Sequence, residues 1–242
     1  MTAARSAGIG LRLAGAGAAL LLTGCAASGR MEPAPQRTAL PLSRPVAAWV
    51  ASSHFRPGPR RVGDVDAIVI HTTEGRFDRT LTFAENQANN YRNVIRYFQK
   101  NDREVSAHFV VGPDGGITQM VAEEDICHAQ TYYNARSIGI ECAGWADSED
   151  TWTPELLDSL VELVAYLAVK WRVPVERPEG DANHGPYSLD TPEGKRFNGR
   201  GIVSHGQIQP WNRTDPGPHF PWEAFLSRVR RRIDAAAGQL AE

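Results

Sequence analysis

The feature that most constrains the fold is a short apolar run at residues 67–70 that is followed at once by polar residues. A continuous apolar run of this length is typical of a strand buried on both faces, and such strands occur in sheets that helices cover on both sides. Comparable apolar runs at residues 105–111, 117–121, 138–142 and 201–204 predict further strands of the same sheet.

Helices and one hairpin complete the predicted architecture. Residues 153–155 (Thr-Pro-Glu) supply an N-cap, a proline at the first helical position and an early carboxylate for a helix that ends near residue 172. Apolar residues at helical spacing predict one or two helices at 79–100 and a closing helix at 222–237. The turn residues 113–116 (Pro-Asp-Gly-Gly) predict an antiparallel pair of strands. We therefore expect an α/β single domain with a mixed central β-sheet flanked by α-helices.

Composition excludes several classes of protein. The chain has 242 residues, 42% of them hydrophobic and 22% charged, which is typical of a soluble globular domain. A net charge of −2 and a pI near 6.4 argue against a nucleic-acid partner bound through a basic surface. Three cysteines are too few for a disulfide framework or a four-thiolate zinc site.

The N-terminus predicts export. Residues 1–24 carry two arginines, no acidic residue and an apolar run at 13–22, which is typical of a signal peptide and too short to cross about 30 Å of hydrocarbon as a helix. The end of this segment, Leu-Thr-Gly followed by Cys25, resembles the bacterial lipobox, in which the cysteine is lipidated. We expect an anchor and Pro-rich tether at 25–60 and a catalytic domain at 61–240, starting between about Val46 and Asp66. A soluble secreted protein with a chance cysteine is the alternative.

Two of the predicted strands end at a histidine, and a carboxylate follows the second. His71 ends the first apolar run, His205 ends the last, and Asp215 lies ten residues further on. Two imidazoles and one carboxylate form a ligand set for catalytic zinc that leaves a fourth position for water. Spacing alone does not separate this set from unconnected surface histidines, because the chain has 7 histidines.

Four segments occur in the order found in one enzyme family. They are IVIHTTEG at 68–75, VSAHFVVGPDGGITQMV at 105–121, SIGIECAG at 137–144 and SHGQIQPWNRTDPGPHF at 204–220. The chain resembles the zinc-dependent N-acetylmuramoyl-L-alanine amidases of type 2, above all their AmpD- and AmiD-like branch, over residues 66–230. This family shares a fold with T7-type phage lysozymes and peptidoglycan recognition proteins. The resemblance implies hydrolysis of the amide bond between N-acetylmuramic acid and L-alanine in peptidoglycan or muropeptides.

The resemblance also implies a ligand set. His71, His205 and Asp215 match the family's zinc ligands, and Zn²⁺ is therefore the expected cofactor. His219 is a competing ligand because it lies close to Asp215 in the sequence. The family pattern places the ligand directly before Pro-Gly, which favours Asp215.

Catalytic and substrate-binding roles follow from the same match. Glu141 falls where this branch carries its catalytic carboxylate, and strand alternation points it away from the neighbouring isoleucines. Arg213 stands where many relatives have lysine; it keeps a positive charge for the oxyanion but differs in shape. His128 is the expected substrate contact and His108 a supporting residue. Other members carry a tyrosine where this chain has Ala107, which adds weight to Glu141 as the catalytic base.

Several alternatives stay open at this level. A peptidoglycan-binding module without catalysis and a zinc hydrolase of another amide or ester are the rival functions. The Pro/Gly-rich stretch at 175–201 either walls the groove or is a passive insertion. Cys127 and Cys142 either form a disulfide or remain buried thiols. We expect a monomer in the bacterial cell envelope, whose partners are its peptidoglycan or muropeptide substrate and the membrane that holds its lipid anchor.

Overall fold

A mixed six-stranded sheet organises the part of the chain that the computed structural model describes, which is residues 42–182 and 196–239. The strands in chain order are β1 (Ala48–Trp49), β2 (Phe55–Arg56), β3 (Ala67–Thr72), β4 (Phe109–Val111), β5 (Ile117–Gln119), β6 (Ile126–Cys127), β7 (Ser137–Cys142) and β8 (Gly201–Ser204). The large sheet has the order β1-β5-β4-β7-β3-β8, and β2 pairs with β6 separately. The predicted signal peptide, the lipidation site at Cys25 and the centre of the 175–201 stretch lie outside the described residues.

The sheet is mixed because of the hairpin. β4 and β5 are antiparallel across the 113–116 turn, whereas β7 runs parallel to both β4 and β3, and β8 runs parallel to β3. The predicted fold class, a mixed central sheet flanked by helices, is confirmed.

The described residues form four α-helices, α1 (Phe83–Gln99), α2 (Pro154–Trp171), α3 (His205–Ile208) and α4 (Trp222–Gly238), and two short 3-10 helices, Thr131–Arg136 and Glu149–Thr151. Thr82 and Glu85 form a capping box at the start of α1. Thr153 caps α2 as its sequence predicts, because its hydroxyl accepts a hydrogen bond from the backbone N–H of Leu156. Within the described residues, no helix is long and apolar enough to cross a membrane.

Strand β3 is buried along its whole length, and its two faces serve different layers. Ile68 and Ile70 pack into the large core that α2 and α4 cover. Ala67 and Val69 point to the opposite face and pack in a smaller cluster with Tyr133. The continuous apolar run is therefore explained by a strand with protein on both sides.

Some predicted boundaries differ from the structure. The strand expected at 105–111 is confined to β4, and at the start of the expected strand the backbone N–H of Ser106 donates to the carbonyl of His128, which belongs to no strand of the large sheet. His71 lies within β3 and not in the turn after it. The two-residue strands β1 and β2 fall in the stretch expected to be tether, yet β1 extends the sheet beside β5 and β2 pairs with β6.

Truncation of a core leucine on α2 tests this layer of the fold. Leu160 is fully buried in the core between the sheet and α4. We expect Leu160→Ala to lower the free energy of unfolding by about 2–5 kcal/mol, since the cavity adds to the lost transfer energy. Urea unfolding measures this loss. Leu157→Ala, on the half-buried side of the same helix, is the control and costs less; equal losses would contradict the assignment of the buried face.

Candidate functional site

Three adjacent parallel strands bring the site residues together. His71 of β3 is the register partner of Glu141 of β7, so both side chains leave the same face of the sheet at the same level. On the other side of β3, Ile70 pairs with Ser204, and His205 follows Ser204 at the start of α3. The carboxyl ends of β7, β3 and β8 therefore present a carboxylate and two imidazoles in one row.

His71, His205 and Asp215 converge on one point. The two Nδ1 atoms lie 3.0 Å apart, and Oδ2 of Asp215 lies 3.2 Å from His71 Nδ1 and 3.1 Å from His205 Nδ1. All three residues are at most 5% exposed. Tetrahedral zinc with ligands at 2.0–2.1 Å holds its donor atoms about 3.3 Å apart, so this spacing fits a bound metal ion.

Electrostatics favours the metal-binding protonation states. Burial, and then the neighbouring His205, lower the pKa of His71. Burial would raise the pKa of Asp215, but its contacts with the imidazoles of His205 and His71 outweigh burial and hold this pKa below its usual range. An ionised carboxylate and a neutral imidazole are the forms that coordinate a metal ion.

Glu141 lies beside the cluster with a perturbed carboxyl group. Its Oε2 atom is buried and has no hydrogen-bond partner among the described residues. Burial raises the pKa of Glu141 well above its usual value, and the carboxylates of Asp215 and Glu74 raise it further, whereas Arg213 opposes the shift. A carboxyl group with a raised pKa can both take and return a proton near neutral pH.

The loops that carry the site are fastened to one another at Ala146. The carboxylate of Glu74, three residues after His71, accepts hydrogen bonds from the Thr72 hydroxyl and the Ala146 backbone N–H, each at 2.7 Å. Gly217, two residues after Asp215, has a φ of 87°, and a Cβ there would lie 1.8 Å from the Ala146 carbonyl oxygen. The loops after β3 and β7 and the Asp215 loop thus all meet at Ala146.

The cluster opens into a groove of about 410 Å³. Arg213 and Arg103 contribute positive charge to its lining, and Tyr97 of α1 contributes an aromatic ring. Glu141 and the three residues of the cluster also line it. The groove therefore offers an anionic or polar substrate direct access to the candidate metal centre.

The remaining predicted site residues occupy different environments. His128 lines the groove, and its Nδ1–H donates to the carbonyl of Glu104 at 3.0 Å. His108 is fully buried, its Nδ1 accepts the backbone N–H of Gly139, and burial and the nearby Arg60 lower its pKa to about 3. His108 is thus a neutral structural residue.

His219 and the cysteines lie outside the cluster. His219 is exposed and is not among the residues that converge with His71 and His205. Cys127 and Cys142 are both buried free thiols in the structure.

Sequence reasoning missed the residues that surround the cluster. His71 Nε2 lies 3.2 Å from Oε1 of Gln130, and His205 Nε2 lies 2.8 Å from Oε1 of Gln209. Gln209 follows His205 by four residues, and residues at this spacing are neighbours on a helix, so the contact could have been predicted from the sequence. Gln130 precedes β7 and reaches His71 only through the fold, so no local pattern points to it.

The site combines two buried histidines and a carboxylate with a glutamate that can carry a proton, and all of them line an open groove. This arrangement is typical of a hydrolase with one metal ion. A family model described as N-acetylmuramoyl-L-alanine amidase matches residues 61–218. The chain belongs to this amidase family, as its four sequence segments predict.

Individual relatives agree with this assignment. The chain is 28% identical over 165 residues to N-acetylmuramoyl-L-alanine amidase A of Achromobacter lyticus, covering 67% of this chain and 82% of that one. It is 24% identical over 186 residues to the amidase AmiD of Escherichia coli (strain K12), covering 68% of this chain but only 53% of AmiD. The crystal structure of the hydrolase AmiA of Staphylococcus aureus with its ligand has a TM-score of 0.55 at 15% identity, over 81% of this chain and 87% of that one, and shows the shared fold.

A methyl group at Gly217 tests the contact between the site loops. We expect Gly217→Ala to displace the Asp215 loop, because the Cβ clashes with the Ala146 backbone and φ is positive. A strained backbone of this kind costs about 1–3 kcal/mol, and metal affinity should fall with it. Thermal unfolding and metal titration measure both effects. Gly238→Ala, where nothing lies within 4 Å of the new Cβ, is the control; unchanged metal affinity in Gly217→Ala would contradict the proposed coupling.

Proposed function

We propose that this chain is a zinc-dependent amidase that hydrolyses the bond between N-acetylmuramic acid and L-alanine in peptidoglycan or muropeptides. The observation that carries the proposal is the convergence of His71 Nδ1, His205 Nδ1 and Asp215 Oδ2 within 3.2 Å, next to Glu141, whose Oε2 atom is buried. Membership of the amidase family supports the reaction class.

In this proposal the two imidazoles and the carboxylate hold the ion. Two nitrogen donors and one oxygen donor suit zinc and leave a position for water or substrate. Bound zinc supplies Lewis acidity, which makes water a stronger acid and polarises the substrate carbonyl. The protein's contribution is to keep the three donor atoms in a fixed, largely dry arrangement at the bottom of the groove.

Glu141 is the proposed proton carrier. As a carboxylate it takes a proton from the attacking water, and as an acid it returns this proton to the departing nitrogen of L-alanine. Its raised pKa supports both halves of this cycle, because a carboxyl group with an ordinary pKa returns protons poorly near neutral pH.

Arg213 and His128 act on the substrate from the groove. Arg213 places its positive charge in the lining near Glu141, where it stabilises the negative charge that develops on the carbonyl oxygen. His128 donates its Nδ1–H to the carbonyl of Glu104, so Nε2 is the ring nitrogen that is left to form a hydrogen bond with the substrate. These roles rest on position in the groove.

The location follows from the substrate and the N-terminal sequence. Peptidoglycan lies in the bacterial cell envelope, and the predicted signal peptide with Cys25 supplies export and a lipid anchor. We propose that the protein works as a monomer tethered to a membrane through Cys25, with the Pro-rich sequence that precedes β1 as the tether.

Metal removal separates the candidate functions. The purified full-length protein, kept soluble in detergent, is incubated with a defined muropeptide with and without a chelator, and products are identified by mass spectrometry. We expect one zinc per chain and chelator-sensitive cleavage between muramic acid and L-alanine that added zinc restores. Zinc without cleavage would favour a hydrolase of another amide, and muropeptide binding without zinc would favour a non-catalytic peptidoglycan-binding module.

Glu141→Gln tests the proton carrier. The substitution keeps the shape of the side chain but removes its ability to exchange a proton, so kcat should fall by about 10²–10⁴-fold while zinc content is unchanged. Steady-state kinetics and metal analysis give both values. Glu155→Gln, an exposed glutamate in the first turn of α2, is the matched control and should keep wild-type kinetics. Near-normal turnover of Glu141→Gln would remove Glu141 from the mechanism.

A further inference from the structure

A chain of hydrogen bonds behind the site has only one possible direction. The hydroxyl of Ser137 lies 2.6 Å from the backbone carbonyl of Tyr133. Because a carbonyl oxygen can only accept, the Ser137 hydroxyl donates its hydrogen to Tyr133. The Ser137 oxygen lies 2.5 Å from Nε2 of Gln130 and must therefore accept from it. This contact fixes the orientation of the Gln130 amide and turns its Oε1 toward His71.

The consequence for His71 is a defined tautomer. Oε1 of Gln130 lies 3.2 Å from His71 Nε2 and, as an amide oxygen, only accepts, so Nε2 must carry the hydrogen. A neutral ring then has its lone pair on Nδ1, the atom that faces His205 and Asp215. The other tautomer would carry its hydrogen on Nδ1, between His71 and the neighbouring His205 and Asp215. It would also place the lone pair of Nε2 against a lone pair of Gln130 Oε1, which is unfavourable.

The surroundings of Gln130 are shaped to hold it. Gln130 is fully buried, and its backbone N–H donates to the side-chain oxygen of Asn134 at 2.7 Å. Gly139, in the middle of β7, provides the space: a Cβ at this position would lie 2.8 Å from Gln130 Oε1. A glycine inside a strand weakens that strand, so it commonly marks a place where another group approaches closely.

We propose that Gln130 is a positioning residue that sets the zinc affinity of the site by fixing the tautomer and orientation of His71. Its hydrogen bond to Ser137 orients the amide, and the absence of a side chain at Gly139 leaves room for it. The inference rests on the proposed zinc site and extends it to residues that do not touch the metal. Partners of this kind orient metal-binding histidines, and their loss commonly costs about 10–100-fold in metal affinity.

Two substitutions at Gln130 separate positioning from packing. Gln130→Glu keeps an acceptor for His71 Nε2, whereas Gln130→Leu fills a similar volume without one. We expect the zinc dissociation constant of Gln130→Leu to rise about 10–100-fold, and that of Gln130→Glu to stay close to the wild-type value. A purely structural role would affect both variants alike, because both lose the hydrogen bond to Ser137.

The measurement is competition for zinc against a chromophoric chelator, starting from the metal-free full-length protein, with urea unfolding of the metal-free variants in parallel. Gln119→Leu is the matched control: Gln119 is a buried glutamine of β5 that lines no part of the groove, and its zinc affinity should equal that of the wild type. Ser137→Ala frees the Gln130 amide to rotate and should weaken zinc binding by about 3–10-fold, the worth of one neutral hydrogen bond.

Each result has a distinct meaning. A wild-type protein that binds no zinc would overturn the proposed function itself. Wild-type zinc binding with an equal dissociation constant in Gln130→Leu would overturn the positioning role and leave the amidase proposal intact. If Gln130→Leu does not fold, Ser137→Ala decides, and an unchanged dissociation constant in that variant would overturn the inference.

Discussion

The parallel, in-register pairing of β3 with β7 and β8 is the constraint on which the site depends. Pairing places His71 opposite Glu141 and carries His205 to the same level, so one slip of register would send a residue to the wrong face of the sheet. Ile68, Ile70, Ile138 and Ile140 pin this register, because they bury the opposite face under α2 and α4. The hydrophobic core on one face thus sets the geometry of the candidate metal site on the other.

The site gathers negative charge where water is scarce. Asp215 is 5% exposed, and Glu141 buries one unpartnered carboxyl oxygen close enough to Asp215 and Glu74 for its pKa to rise. Buried carboxylates are costly unless a cation or hydrogen bonds compensate. A divalent cation between the two imidazoles and Asp215 would offset this cost.

The sequence predicts the central elements of the fold well, and for physical reasons. The buried run at 67–70, the capped start of α2 and the turn at 113–116 are local signals, and each appears in the structure near its predicted position. The two-residue strands β1 and β2 were missed because their pairing depends on distant partners, β5 and β6, and on no periodicity of their own. The convergence of His71 with His205, 134 residues apart, became an expectation only through the family resemblance.

The sequence motifs do not reveal the residues that hold His71, His205 and Asp215 in place. Glu74, Ala146 and Gly217 fix the loops relative to one another, and Gln130 with Ser137 fixes one imidazole, yet none of these contacts follows from local spacing. A metal–ligand bond needs a lone pair that faces the ion, and turning or deprotonating a ligand to supply one costs free energy, so metal affinity depends on groups that the ion never touches. In the proposed site, the residues that meet Nε2 of His71 and His205 therefore contribute to metal affinity alongside the three residues that would hold the ion.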